Sequence, residues 1–429
     1  MTTSTTTDGA FTDQPEGAFD DRSERSNGEG TVEQARSEYP GEELLLDADS
    51  ARDPELSVVM PTLNEEEGIA ECIEQVKKGL EALQIHGEIV VSDDSTDRTP
   101  EIAEEMGAIV VTPDGKGYGY AYQYAFERVR GDVVAMGDAD TTYDFEELPK
   151  LYDMVASGEA DMAMGSRLNG QIKQGAMPKL HQYVGNPLLT RFLNAFYGAG
   201  VSDAHSGLRV FTKDAYEEMN LQTTGMEFAS EMIMRAGAAD LTIEELPITY
   251  HEREGEATLE SFRDGWRHVR FMLVNAPGYL FSGPGISLAL AGLLMMSVVL
   301  SGVEFAGTTL GVNSMIAGSL FTIVGVQVAS FGAFATIAGE PIRRATDPVT
   351  EVLVEQINLE HGASAGLALF AAGAAYSLYV VYEWATAGFA AVPVAGVNIA
   401  SFTACVTGLQ LVFTSFLLSI LADATAETD

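Results

Sequence analysis

Apolar and polar positions divide this chain into two stretches with different periodicities. In the first, short apolar runs alternate with amphipathic ones. Leu56 to Met60, Glu88 to Val91, Ala108 to Thr112, Val133 to Met136 and Asp161 to Met164 are predicted as strands, and Ile69 to Leu83, Pro100 to Met106 and Tyr118 to Val129 as helices between them. This alternation predicts an α/β domain with a mainly parallel sheet. After position 283 the pattern changes. Gly283 to Val303, Ser314 to Gly339, Gly362 to Tyr382 and Val394 to Ala422 are apolar all round and carry no charged side chain. Each reaches the roughly 20 residues that cross a bilayer, so four membrane spans are predicted.

The connections orient these spans. Glu304 to Asn313 and Glu383 to Pro393 hold no Lys or Arg, whereas the middle connection carries Arg343 and Arg344, and Arg263, Arg267 and Arg270 precede the first span. The positive-inside bias then puts the N-terminal domain and the C-terminus in the cytoplasm. The spans lack the ionisable residues of an ion or proton relay. Just before them, Phe262, Trp266, Val269 and Leu273 recur at helical spacing beside the three arginines. That pattern suits a helix lying at the headgroup plane, and a helix packed on its own domain would show it too. The chain is accordingly divided into a disordered acidic tail (residues 1–52), the α/β domain (53–260), a juxtamembrane helix (261–282), the four-span domain (283–422) and a short C-terminal tail (423–429), with regular structure beginning at Glu55. The spans can anchor, present lipid or support a homo-oligomer.

Charge adds a context. The chain of 429 residues holds 63 acidic against 24 basic residues, a net charge of −39. Such self-repulsion is relieved in concentrated salt, where the Debye length falls to about 3 Å near 1 M. A salt-rich cytoplasm, as in a halophilic archaeon, is the simplest setting, and without a basic patch nucleic acid is excluded as a partner. Cys72 and Cys405 imply no disulfide framework.

Candidate chemistry sits at the strand ends. Asp138-Ala139-Asp140 directly follows the apolar run Val133 to Met136, so two carboxylates project from the carboxyl end of a buried strand. Mg²⁺ or Mn²⁺ prefers oxygen ligands and shares them with substrate phosphates, and open α/β sheets bind ligands at this edge. Pro61-Thr62-Leu63-Asn64-Glu65 follows the first strand, Ser92-Asp93-Asp94-Ser95-Thr96-Asp97 the second, and Gly115-Lys116-Gly117 the third. Each also has a local structural explanation. Asn64, Asp97, Thr99 and Asp144 can all cap helices, and Gly115 to Gly117 can be a plain turn. Together they make an acidic rim suited to a base, ribose, metal and diphosphate.

This combination resembles family 2 glycosyltransferases of the GT-A fold, and within them polyprenyl-phosphate hexosyltransferases such as dolichol-phosphate mannose or glucose synthases. The resemblance runs from Glu55 to Leu280. Besides the strand-end motifs it includes Gly165-Ser166-Arg167, Ser206-Gly207-Leu208-Arg209-Val210-Phe211, Glu231-Met232, Glu244-Glu245-Leu246-Pro247-Ile248 and Arg253-Glu254-Gly255-Glu256. It implies that Pro61, Leu63, Glu65, Asp93, Asp94 and Lys116 hold the nucleotide sugar, that Asp138 and Asp140 hold a metal diphosphate, and that Arg253 meets the donor phosphates. Asp140 and Arg167 then count as catalytic, and Arg167, Lys179 and His181 receive the acceptor phosphate of dolichyl phosphate. The acidic motif is one residue shorter than usual, which leaves open whether Asp93 or Asp94 contacts the base. Thr142 stands where some relatives have a metal-contacting Gln, His181 where mannose synthases have Arg, and Ala257-Thr258-Leu259 where the family has Ser-Lys-Leu.

The implied reaction is transfer of a hexose from UDP- or GDP-hexose to a lipid phosphate with inversion. A phosphate acceptor is already anionic, its second pKa being about 6, and needs no general base, unlike an alcohol. Two alternatives stay open. A polysaccharide synthase shares the nucleotide motifs, though its usual Gln-x-x-Arg-Trp is absent, and an inactive sugar-nucleotide-binding scaffold would have no need of an intact Asp-x-Asp.

Overall fold

A computed structural model of the chain describes residues 44–253, 261–305, 308–338, 342, 359–388 and 395–426. The α/β part contains β1 (Leu56–Thr62), α1 (Ile69–Leu83), β2 (Gly87–Asp93), α2 (Thr99–Glu105), β3 (Ile109–Val111), α3 (Tyr118–Phe126), β4 (Val133–Met136), α4 (Leu148–Ala156), β5 (Met162–Ile172), α5 (Asn186–Tyr197), β6 (Arg209–Thr212), α6 (Lys213–Met219), α7 (Phe228–Ala238) and β7 (Ile243–Tyr250). The sheet order is β3-β2-β1-β4-β6-β5-β7. All neighbouring pairs are parallel except those of β6, which runs antiparallel to both β4 and β5. The order reverses between β2 and β4 across β1, and such a switch point opens a crevice at the carboxyl strand ends.

Both faces of the sheet centre are covered, so β1 and β4 read as mostly apolar runs without polar alternation. Along β1, Val58 and Met60 join the core beneath α1, formed with Ile69, Cys72, Ile73, Val76 and Leu80, while Val59 joins Tyr122, Phe126, Phe211 and Phe228 on the other face. Helix α1 abuts the Asp138 to Asp140 loop so closely that a Cβ on Gly68 would lie 2.9 Å from the Ala139 carbonyl oxygen. A bulkier residue there would push the acidic loop away.

The α/β expectation holds, with local corrections. Regular pairing begins before Glu55, because Leu45 bridges Gly87 and the Leu46 amide donates to the Gly87 carbonyl. Arg130 pins this segment by donating to the Asp47 and Ser50 carbonyls, while its Nε meets the fully buried Glu88 at 2.7 Å. Asn64 caps no helix. It adopts φ +60° and accepts from the Thr96 amide, stitching the β1 loop to the β2 loop. Asp97 does serve Thr99, and the Asp144 carboxylate accepts from the Glu146 amide at the start of a short 3₁₀ turn. The segment from Lys179 onward is helical, passing through a π turn (His181–Gly185) into α5.

Helices α8 (Ser261–Val274), α9 (Gly283–Ser301), α10 (Val312–Ala338), α11 (Leu359–Thr386) and α12 (Ala395–Ala426) complete the chain, with a small hairpin of β8 (Glu304–Phe305) and β9 (Thr308–Thr309). The four helices expected to span are long and apolar enough to cross a membrane. Lipid offers no hydrophobic drive between helices, so close packing and hydroxyl bonds hold them. Cβ atoms on Gly292 or Gly408 would lie 2.5 Å from the backbone of the facing helix, and Ser319 and Thr403 share a 2.7 Å hydrogen bond between α10 and α12. Residues 1–43, Arg343, Arg344 and 254–260, which carry the tail, part of the orientation signal and the Ala257-Thr258-Leu259 departure, lie outside the described residues, as do the side chains of Phe262 and Arg263.

Candidate active site

The loops after β1, β2 and β4 meet at the switch point, fastened by their own side chains. Thr62 Oγ1 donates to Asp93 Oδ1 at 2.7 Å and the Ser95 amide to Asp93 Oδ2 at 3.1 Å, so both oxygens of the buried Asp93 carboxylate are used within the fold. Asp94 beside it is exposed, as are Leu63 and Lys116, while Pro61 is half-buried. The Glu65 amide meets Thr99 Oγ1 at 2.9 Å, which fixes the start of the Glu65 turn.

Glu65, Asp138, Asp140 and Arg253 come together in the crevice. Arg253 is ion-paired with Glu65, and its Nη1 lies 3.3 Å from Asp140 Oδ2. Asp140 Oδ1 accepts from the Thr142 hydroxyl at 2.5 Å and from its amide, so Thr142 orients this carboxylate from the position where some relatives have a Gln. Tyr118 donates to Asp138 Oδ1 at 2.9 Å. Burial, with Asp140 nearby, raises Asp138 to about 6. Burial also pushes Glu65 up to about 7 against the pull of Arg253, with Asp140 and Asp138 adding to the rise. Several carboxylates thus crowd one arginine.

That arrangement fits a hard divalent cation with a diphosphate. Among the described residues no cluster of three or more His, Cys, Asp or Glu forms a closed metal cage. Two carboxylates that leave the other positions to phosphate oxygens are how Mg²⁺ is commonly held. The buried Arg253 Nε, which has no hydrogen-bond partner, is a donor waiting for an oxygen.

The neighbouring region is built differently. Arg167 lies within β5 and not after it. Its Nε and Nη2 form a two-pronged bridge to Asp203 at 2.7 and 2.8 Å, and the guanidinium stands 5.2 Å from the centre of the Tyr250 ring. The fork expected to grip a phosphate is therefore committed to Asp203, and Nη1 is the part left to offer. Burial alone would raise Asp203, but Arg167 holds it below the usual carboxylate range. Glu245 on β7 accepts from the Ser202 and Asp203 amides, and Arg209 donates to the Ala204, Ser206 and Ala229 carbonyls. Lys179 is exposed and His181 half-buried on the helical segment entering α5, while among the described residues the Arg167 hydrogen bonds go to Asp203.

Sequence reading missed Asp203 and the Tyr118 contact to Asp138, and it named Glu245 and Thr142 without their contacts to the Asp203 loop and to Asp140. It also missed an exposed apolar ridge, Leu180, Tyr183, Val184, Leu188 and Phe192, which starts beside Lys179. The ridge continues through Phe196, whose ring stacks on Tyr279 at 4.4 Å just before α9. Positions 180, 184, 188 and 192 recur at helical spacing, a signal visible in the chain. On α8 Met272 is buried and His268 half-buried on one side, while Trp266 is 59% exposed and Arg270 exposed.

These features define a glycosyltransferase of the GT-A fold joined to membrane helices. Sequence profiles agree: "Glycosyl transferase family 2" matches residues 57–219, and "Glycosyltransferase family 2 C-terminal transmembrane region" matches residues 335–422. The chain belongs to glycosyltransferase family 2 and is a multi-pass membrane enzyme. It is 63% identical over 385 residues to the low-salt glycan biosynthesis hexosyltransferase Agl6 of Haloferax volcanii, covering 90% of this chain and 93% of that one. It is 35% identical over 214 residues to a dolichyl-phosphate hexose transferase of the same organism (49% of this chain, 89% of the relative). A dolichol-phosphate mannosyltransferase of Pyrococcus furiosus is 28% identical over 221 residues, 48% of this chain and 59% of the relative.

Proposed function

We propose that the enzyme transfers a hexose from UDP- or GDP-hexose to dolichyl phosphate, with inversion, giving dolichyl-phosphate hexose for glycoprotein or glycolipid assembly. The observation that carries this reading is the apolar ridge running from Lys179 and His181 along α5 to Tyr279 at the first span. It offers a lipid-borne acceptor an apolar track from the first span to the segment that carries Lys179 and His181.

Asp138 and Asp140 would hold Mg²⁺ or Mn²⁺, which supplies charge neutralisation to the leaving diphosphate when bound. Arg253 can turn its Nε and its Glu65-bound edge to the same phosphates. Pro61, Leu63, Asp94 and Lys116 lie on the loops that would enclose the nucleoside, with Asp93 setting the loop shape from within. Arg167 Nη1, held in place by Asp203, meets the incoming phosphate, and Lys179 and His181 line its approach. The acceptor oxygen needs no proton removed, so the residues' task is to bring two anions together in line. The arginines flanking the spans favour a cytoplasmic catalytic domain with both termini on that side, and the acidic balance fits a salt-rich cytoplasm.

The test incubates membranes holding the full chain with radiolabelled nucleotide hexoses, with and without dolichyl phosphate. Label that enters the lipid phase only with dolichyl phosphate and divalent cation supports the reading. Label entering water-soluble polymer, or none from any donor, rejects it.

A further inference from the structure

A polar cluster beside the active site takes no part in the chemistry above. His205 sits in the loop after Asp203, and its Nε2 lies 3.2 Å from Ser230 Oγ on α7. Ser230 Oγ lies 2.9 Å from Nδ1 of His268 on α8. The two rings meet edge to face with centroids 4.9 Å apart. A serine hydroxyl has one proton, so it can donate to one imidazole while accepting from the other, which ties both rings to Ser230. Burial depresses His205 to about 3, aided by His268, so it stays neutral at working pH. Its Nδ1 is sealed from water without a partner. An apolar contact would avoid that cost, whereas this one fixes a single register between loop and helix.

The linked elements have different duties. Asp203 in the loop holds Arg167, and α8 presents Trp266 and Arg270 outward on the side away from His268 and Met272. We propose that His268, Ser230 and His205 form a positioning link through which the seating of α8 on the bilayer surface sets the Asp203 loop and, with it, Arg167. The link rests on the acceptor role assigned to Arg167 and adds the element that aligns it.

The experiment measures steady-state kinetics of the full chain in anionic-lipid vesicles with long-chain dolichyl phosphate, varying donor and acceptor separately. Ser230→Ala, His268→Leu and His205→Leu should each raise the acceptor KM about tenfold while the donor KM stays within about twofold. His268→Asn and His205→Gln place an amide where Nδ1 and Nε2 stood and should restore most of the loss. Ser230→Ala combined with His268→Leu should be little worse than either, because the chain is already broken. With a short-chain, water-soluble polyprenyl phosphate in detergent, the variants should match the parent, since no bilayer seats α8. An unchanged acceptor KM in Ser230→Ala, equal rises for donor and acceptor, or full additivity would overturn the link. If the leucine variants fail to fold, Ser230→Ala and the two amide variants decide alone. Arg167→Lys is assayed alongside. If it leaves the acceptor KM unchanged, the acceptor reading fails and takes the link with it, whereas an impaired Arg167→Lys beside unaffected link variants rejects the link alone.

Discussion

The proposed donor and acceptor halves of the crevice are built on different plans. On the donor half, loops at neighbouring parallel strand ends carry Glu65, Asp138 and Asp140, and most stabilising bonds run between adjacent loops, such as Thr62 to Asp93 and Glu65 to Thr99. On the acceptor half, Arg167 comes from the interior of β5 and is held by Asp203 from a distant loop, itself fixed by Glu245 from β7. The donor half is a set of motifs, whereas the acceptor half is an assembly of long-range contacts. Substitutions should therefore act locally on the first and spread on the second.

The largest effect should come from the metal pair. Asp138→Asn or Asp140→Asn should lower turnover about a hundred- to a thousandfold, with the folded baseline in circular dichroism retained, and chelation with EDTA should do the same to the parent enzyme. Full turnover in either variant, or with chelator present, would break the donor half of the comparison.

Next comes the acceptor assembly. Arg167→Ala leaves Asp203 buried without its partner, which should cost about 3–5 kcal/mol of stability, readable as a lower denaturation midpoint. Arg167→Lys keeps the charge but loses the planar fork that Asp203 grips. It should raise the acceptor KM while donor binding by calorimetry stays within a few-fold. A variant that loses donor binding and keeps its acceptor dependence would move Arg167 to the nucleotide side.

A smaller contrast separates Asp93 from Asp94. Asp93→Ala should lower stability by about 1–3 kcal/mol, because Thr62 and Ser95 lose a buried acceptor. Asp94→Ala should leave the melting temperature unchanged and weaken nucleotide binding about tenfold. The reverse pattern would assign the base contact to Asp93.

The smallest expected effect is on pH. Asp138 and Glu65 titrate near 6 and 7 in the free enzyme, so a cation must displace protons below that range. Their neutral forms favour folding, a contribution complete below their ordinary values near 4 and lost as pH rises through about 7. The melting-temperature gap between the Mn²⁺-nucleotide complex and the free protein should therefore widen from pH 5 to 7. In Asp138→Asn the widening should shrink, and an unchanged slope would remove Asp138 from the cation site.

The contrast also explains what the chain reveals when read as a string. Asp138 and Asp140 are legible because they follow an apolar strand directly, and α1 was bounded correctly because Ile69, Ile73, Val76 and Leu80 keep helical spacing. Asp203 and Glu245 were invisible as partners of Arg167, because their approach depends on β6 being inserted antiparallel between β4 and β5. Leu44 to Leu46 were lost in an acidic context, although Gly87 gives them a strand edge to pair with. The end of β5 at Ile172 was missed because its later residues are exposed, where a period of two carries little apolar signal.

If the proposed function holds, the Arg253 pairing with Glu65 and Asp140 makes donor loading an ion exchange. A lone divalent ion arriving at this crevice must evict a guanidinium that then has no anion to turn to. A metal diphosphate brings a cation for the carboxylates and phosphate oxygens for the arginine, so the trade is nearly charge-neutral. On the proposed reading the enzyme takes up a divalent cation with the nucleotide and ignores the free ion, which guards an acidic crevice against filling with the wrong cation.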